Sequence, residues 1–355
     1  MHSLAKSLAF SVSLGALCVS AQSATISGSV KGPDGAAFKG AFISAQNTKT
    51  KITLNVLSQP DGRYSIKNLP AGEYDVQVKS VGFTNNEAGK LTLAGDGSAS
   101  KDFALGKGQV QWSDINYWQG RQLFPDAPGK APLFNACHAC HGTQSRMVGK
   151  GHDPEGWGAM VDYMMGSMHY FLSERLQPQE VADVKTYLNQ LFGKNSVLPK
   201  SPEDHPKYKE TVRNPFTDES LKIVYVTYEM PNRSSFPWTA TEDKDGKYWI
   251  PFYGANNKIA RMDAETGAVE EFKTPSTNTA SIHSAQPAPD GSVWGTVLGY
   301  PGAAVRLVPG ATPPETTMSD MRSVMKMKPS SSTCPMSPRV KTPGRTYALA
   351  VFSGS

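Results

Sequence analysis

The sequence predicts a multidomain chain of three successive folded units: an antiparallel β-sandwich, a small all-α domain and a partial β-propeller. Three observations carry that expectation. Short alternating apolar segments cut by Pro-Asp-Gly and Pro-Ala-Gly turns fill residues 24–106. Two apolar stripes at helical spacing follow a closely spaced cysteine pair between residues 113 and 193. An Asp-Gly-x-x-Trp motif then recurs at a fixed offset. At 355 residues the chain is longer than one core usually serves. Hydrophobic residues at 39%, with 32 Gly and 26 Pro, describe a globular, turn-rich chain. Lys plus Arg number 36 against 31 Asp plus Glu, and an excess of +5 so small and scattered excludes nucleic acid as a partner class.

Residues 1–23 read as an export signal peptide. His2 and Lys6 give a positive start, "LAFSVSLGALCVS" an apolar run, and "SAQSA" the small residues at which cleavage near Ala21 to Ser23 is expected. The run falls short of the ~18 to 20 residues a spanning helix needs, and no other stretch could cross a bilayer. No transmembrane segment is therefore expected after signal removal. The expected location is periplasmic or secreted, an oxidising compartment. Cys137, Cys140 and Cys334 are the cysteines left after cleavage.

From Ala24 to Leu105 the strands "ATISGSV", "AFISAQ", "RYSIKNL" and "EYDVQVKSVGF" alternate with turns in which Pro fixes φ and Gly supplies the left-handed conformation. Tyr74, Val76 and Val78 share one face of their strand and Asp75, Gln77 and Lys79 the other, so one face is core and one is wet. The G-x-V of Gly28 to Val30, the D-G-x-Y of Asp61 to Tyr64, the L-P-A-G-x-Y of Leu69 to Tyr74 and Gly82-Phe83 together resemble the carboxypeptidase regulatory-like family. The resemblance covers residues 24–106 and implies a transthyretin-like sandwich, of a broad class that includes carbohydrate-binding modules. A sugar platform needs exposed rings. Phe38, Tyr64, Tyr74, Phe83 and Phe103 stand mostly at core-facing or turn positions, so the expectation is an adhesive or spacer role, with carbohydrate contact as the competing one.

"CHACH", residues 137–141, fits the C-x-x-C-H signature of c-type haem attachment. Two thiols three residues apart on an incipient helix can both reach the vinyl groups on one porphyrin edge, and the next residue places an imidazole under the iron. Cys137 and Cys140 would form the thioethers and His141 would be the proximal ligand, giving one covalent haem c. His138, between the cysteines, is not expected to ligate. Two readings compete. Zinc would use Cys137 and Cys140 with His141 and His152, but no second cysteine pair follows. A disulfide would leave the adjoining His141 unexplained, and the preceding segment lacks the βαβ context of a thioredoxin site. Arg146, five residues past His141, is close enough for its guanidinium to reach a haem propionate, or it is an ordinary solvated arginine.

Residues 113–193 resemble a small cytochrome c domain. Trp157, Met160, Val161, Met164, Met165 and Met168 fall on one helical face, and a second helix opens at Pro178, carries Val181, Val184, Leu188 and Leu191, and stops at Gly193. Related haem domains place a distal methionine one turn after a W-x-x-M-V segment, here Trp157 to Val161, which implies Met164 as the second axial ligand. A methionine on such a face is more often core filler than ligand, and Met165, Met168 and His169 stay open beside Met164.

Residues 194–221 mix charge and proline without periodicity and read as a linker or surface wrap. Across residues 222–317, Asp245-Gly246-x-x-Trp249 recurs as Asp290-Gly291-x-x-Trp294, and Arg261 as Arg306, at an offset of 45. That period is what propeller blades produce. The two copies resemble the streptogramin lyase-like (virginiamycin B lyase-like) propeller family. Only about two and a half blades are expected, and residues 318–355 form an irregular tail, read as truncation, an altered reading frame or native disorder. Elimination chemistry in that family needs a histidine base and a metal in a closed centre. His283 is the one histidine after His205, so lyase activity is not the expectation.

Function follows from the haem: a periplasmic electron-transfer protein, more an electron carrier than an enzyme in its own right, working within or beside a larger oxidoreductase and a periplasmic redox partner protein. Two alternatives stay open, a carbohydrate- or partner-binding protein with an accessory haem and a haem-containing dehydrogenase or lyase-like subunit. No residue set marks a catalytic centre.

Overall fold

A computed structural model of the chain describes residues 24–85, 87, 89–139, 142, 147–213, 216–231, 235–253, 257–275, 281–298, 302–311, 315–320 and 347–349. Residues 1–23, where a signal peptide is expected, and nearly all of the tail beyond 320, Cys334 included, lie outside the described residues.

The first unit is a two-layer β-sandwich. One layer holds β1 (Ala24–Lys31) between β4 (Arg63–Leu69), antiparallel, and β8 (Ser98–Ser100), parallel, with β9 (Phe103–Ala104) also on β1. The other runs through β3 (Ile52–Leu57), β2 (Phe42–Asn47), β5 (Gly72–Lys79) and β7 (Gly89–Leu93), all antiparallel. A short ribbon joins β6 (Phe83–Thr84) to β10 (Gly106–Lys107). The core between the layers is Ile26, Val30, Ile43, Tyr64, Ile66, Tyr74, Val76, Val78 and Phe103. Tyr74, Val76 and Val78 are buried and Gln77 and Lys79 exposed, as period-two alternation predicts.

The helices are gathered between residues 112 and 211, in an otherwise β-rich chain: α1 (Tyr117–Leu123), α2 (Lys130–Asn135), α3 (Pro154–Ser167), α4 (His169–Leu172), α5 (Pro178–Phe192) and α6 (Tyr208–Thr211). The bounds of α5 follow from its sequence: Pro178 at the first position, Glu180 accepting from the Gln177 N–H at 2.8 Å, and Gly193 ending it. After α5, Ser201 Oγ donates to Val110 O at 2.9 Å, and Gln59 Nε2 of the sandwich donates to Leu221 O at 3.0 Å.

The next strand, β11 (Val224–Tyr228), turns back onto the sandwich and pairs antiparallel with β3, from Tyr225↔Asn55 to Tyr228↔Ile52. The pairing covers an edge strand that would otherwise offer its backbone to other chains. Buried Asn55 fixes the register, donating from Nδ2 to Tyr225 O (3.1 Å) and Thr227 Oγ1 (3.2 Å) while its Oδ1 accepts from Ser44 Oγ (2.7 Å).

Two repeat sheets follow. The first is the antiparallel meander β12 (Thr241–Glu242), β13 (Lys247–Phe252), β14 (Lys258–Asp263) and β15 (Val269–Lys273). The second is formed by β16 (Ser281–Ile282), β17 (Gln286–Pro287), β18 (Val293–Leu298), β19 (Ala303–Val308) and β20 (Glu315–Asp320). A short β21 (Tyr347–Leu349) lies parallel to β11. Among the described residues the two repeat sheets do not close into a ring. Gly267, at φ +72°, has no room for a Cβ, which would stand 2.6 Å from Thr50 O; the first repeat sheet is pressed against the β2–β3 turn of the sandwich there.

Asn55→Ala leaves the backbone groups at the β3–β11 seam without their side-chain partner. The expected loss is about 1–3 kcal/mol of unfolding free energy, read by urea denaturation, with the far-UV spectrum of the native state unchanged.

Candidate functional site

The cysteine motif is delivered by α2, and α2 is held by close packing on α5. A Cβ at Gly129, just before α2, would stand 2.4 Å from Asp183 O and 2.5 Å from Tyr187 Cβ. Only glycine allows the two backbones so near. Tyr187 is buried, its hydroxyl donating to Pro125 O at 2.7 Å, and that burial pushes its phenol well above the usual range. Lys130 Nζ ties the start of α2 to Phe124 O (2.6 Å) and Asp126 (2.7 Å). Leu133 and Phe134 then face the core, and the chain passes into a single 3-10 turn at Cys137–Ala139. The His138 ring is enclosed on one side by Phe134, 4.6 Å between centroids, and Tyr117, 5.6 Å.

Cys137 is half-buried at the junction of two apolar clusters. One holds Phe124, Leu133, Phe134, Trp157, Val161, Leu188 and Leu191; the other holds Ala136, Met168, Leu172 and Leu176, with Met164 and Met165 packed against it. The structure thus brings Cys137 and the candidate thioethers of Met164, Met165 and Met168 to one apolar neighbourhood. His169 is exposed. Cys140, His141 and Arg146 lie outside the described residues. Among the described residues no three His, Cys, Asp or Glu side chains gather as a metal site would need.

The methionine helix is positioned by Asp153, whose Oδ1 caps α3 by accepting from the Gly156 N–H at 2.8 Å, by Pro154 at its first turn, and by an Asp162–Lys185 ion pair of 2.6 Å across to α5. The apolar stripe is narrower than the sequence suggests. Met160 is 40% exposed, because α3 turns only Trp157, Val161 and the residues near Met164 toward the core. The helix then breaks at Met168, with φ −113° and ψ 29°.

Trp157 adds a polar group that sequence reasoning missed. The side chain is fully buried, with the His152 ring edge-on at 4.9 Å, yet its Nε1–H has no hydrogen-bond partner among the described residues. A buried indole N–H without an acceptor costs about 1–3 kcal/mol, so an acceptor is called for beside this core. Helical periodicity assigns the tryptophan to the core and says nothing about its nitrogen.

Also missed is an aromatic contact from the first repeat sheet. The Tyr253 hydroxyl donates to Met168 Sδ at 2.6 Å, and its ring joins the Met168 cluster. Tyr253 stacks on Trp238 (4.9 Å, 27°), which meets His283 at 5.4 Å. Desolvation by burial pushes the His283 imidazole pKa down. The "FPW" and "PFY" segments carrying these rings are aromatic enough to notice, but only their tertiary pairing gives them a role.

Tyr64, Tyr74 and Phe103 are buried, and half-buried Phe38 and Phe83 pack edge-to-face at 4.7 Å. A cavity of about 740 Å³ lies away from the cysteine motif, between Arg63 and Tyr64 of β4 and residues Leu221 to Val224. No helix among the described residues is long and apolar enough to cross a membrane.

Residues 25–106 match the carboxypeptidase regulatory-like domain family, and this segment is such a domain. No curated protein matches the chain. Solved structures similar to part of it include the Bacillus anthracis TIE protein (19% identity, TM-score 0.22, covering 24% of this chain and 17% of that one). The group B streptococcus pilus 2b backbone protein is 17% identical, with a TM-score of 0.21 and coverage of 24% and 41%. The 3-chlorocatechol 1,2-dioxygenase from Rhodococcus opacus 1CP is 10% identical, with a TM-score of 0.19 and coverage of 25% and 60%. The chain spans less than two thirds of the length of each.

Gly129→Ala forces α2 away from α5 and is expected to cost about 1–3 kcal/mol, measured as a lowered denaturation midpoint of the helical unit. His283 gives a pH dependence. Its folded pKa is depressed, so its contribution is present above the unfolded value of about 6.5 and is lost as pH falls through the folded pKa. The melting temperature should therefore drop between neutral and mildly acidic pH, and His283→Gln should flatten that part of the profile.

Proposed function

We propose that this chain is an exported c-type cytochrome, in which one covalent haem carries single electrons to or from a periplasmic redox partner protein, within or beside a larger oxidoreductase. The observation that carries the reading is the Cys137-His138-Ala139-Cys140-His141 run, whose first cysteine faces an apolar seam shared with methionine thioethers. The residues present fit a haem. Cys137 borders both apolar clusters, Met164 and Met165 pack into the same neighbourhood, and the orphaned Trp157 Nε1–H suits a propionate carboxylate.

Bound there, haem would supply one-electron exchange at its iron. Cys137 and Cys140 would hold one edge of the ring and His141 would provide the proximal imidazole. Met164 would offer its thioether to the iron, a ligand that favours the reduced metal. Arg146 would offer its guanidinium fork to a propionate. Leu133, Leu188 and Leu191, buried beneath the motif, keep water from the apolar wall.

The repeat sheets are read as blades of a streptogramin lyase-like propeller. In support, both carry the same cation–π pair: Arg261 lies 5.5 Å from the Trp249 ring and Arg306 5.9 Å from Trp294. In this reading they dock the partner or the rest of an oxidoreductase. The sandwich is read as an adhesive spacer, since Tyr64, Tyr74 and Phe103 are buried and half-buried Phe38 and Phe83 pack on each other.

Redox titration with candidate substrates tests the function. Exported, haem-loaded protein should be reduced stoichiometrically by ascorbate and stay oxidised with amines, alcohols and sugars. Haem reduction driven by one of those substrates would replace the carrier with a dehydrogenase.

A further inference from the structure

We infer that the Trp294 face of the second repeat sheet is a carbohydrate-binding platform, on which the indole stacks against a sugar ring of a neutral glycan and the polar side chains beside it hydrogen-bond the hydroxyls. The inference is independent of the haem.

The repeat supplies its own comparison. Trp249 and Trp294 occupy the same place in the motif, each with an arginine over its ring. Trp249 is 2% exposed, packed with Ile259 and Phe272 against Val293, Val297, Val305 and Leu307 of the second sheet. Trp294 points from the opposite face of that second sheet and is 42% exposed. The exposed ring is nonetheless held in place. Its Nε1–H donates to buried Ser292 Oγ at 3.1 Å, and Ser292 Oγ donates to Asp290 Oδ1 at 2.6 Å. Arg306 donates to Asp290 Oδ2 at 3.2 Å while its guanidinium lies 5.9 Å from the indole. A ligand stacking on this ring has little side-chain freedom to freeze.

The strand register sets polar side chains in line with the ring. Gln286 lies opposite Trp294 on β17, Arg306 opposite it on β19, and Thr317 opposite Arg306 on β20, so the four share one face. With strands about 4.8 Å apart, the row runs about 14 Å, longer than a single sugar ring. Gln286, Thr317 and Thr296, two residues along β18, are all exposed.

This chemistry suits a sugar better than another protein sheet. At the offset of the repeat, Pro251 and Ile259 beside Trp249 become Thr296 and Ala304 beside Trp294. A protein hot spot needs neighbours that exclude water, and the hydroxyl-bearing replacements keep this face wet. The arginine of the row is paired with Asp290, which disfavours an anionic ligand. A pyranose offers an apolar C–H face to one indole and hydroxyls to a wet rim.

Calorimetric titration of the full chain with hydroxyethylcellulose, xylan, glucomannan and glycogen, and with dextran sulfate as the charged control, tests the site. At least one neutral polysaccharide should bind, Trp294→Ala should weaken that binding about tenfold, and Trp294→Tyr, which keeps a ring, should retain most of it. Binding of dextran sulfate alone, or of none of these polymers, overturns the inference. So does a Trp294→Ala affinity equal to wild type, or a Trp294→Tyr affinity as weak as that of Trp294→Ala. A wild-type dimer that Trp294→Ala dissociates in sedimentation would overturn it in favour of a second copy of the chain.

Discussion

The contact that organises the helical unit is the approach of α2 to α5 at Gly129, where two backbones meet at a separation that excludes even a methyl group. That approach sends Leu133 and Phe134 into the core and leaves Cys137 between two apolar clusters. Each large side chain buried around it contributes about 1.5–3 kcal/mol of transfer free energy. The position of the cysteine is thus a consequence of core packing. A ring attached there would meet a wall of Leu, Val and Met side chains, with the Trp157 indole donor unsatisfied among the described residues.

The units are not independent beads. Strand β11, which follows the helices, completes the edge of the sandwich sheet, and buried Asn55 reads its register. The first repeat sheet touches the sandwich at Gly267 and the helical unit at Tyr253. Tyr228, at the end of β11, donates to Ala264 O at 3.0 Å and packs among Ile250, Phe252 and Met262 of that sheet. Sandwich, helices and first repeat sheet therefore share side chains at each junction. A disturbance at one seam has a physical route to the apolar neighbourhood of Cys137.

What was legible in the sequence is what depends on local period. The sandwich strand carrying Tyr74, Val76 and Val78 declares its two faces by alternation, and α5 declares its ends through Pro178 and Gly193. The stripe on α3 was legible except for Met160, which a tolerant reading of helical spacing includes and the actual rotation of the helix exposes. The pairing of β11 with β3 was not legible, because its partners are some 170 residues apart in sequence and nothing local marks the edge. Nor was the role of Asn55, a polar residue inside a strand, or the missing acceptor at Trp157. Both are properties of what surrounds a side chain, which periodicity does not encode. For the proposed haem site, Cys137 and Met164 have a described environment, whereas Cys140, His141 and Arg146 rest on the motif.

Intact mass of the exported protein, taken under denaturing conditions after maturation with the c-type haem machinery, tests the central claim most directly. The account predicts the mass of the processed chain plus one haem, with neither Cys137 nor Cys140 available to alkylation. A processed chain at its bare mass, with both thiols alkylated, would contradict it.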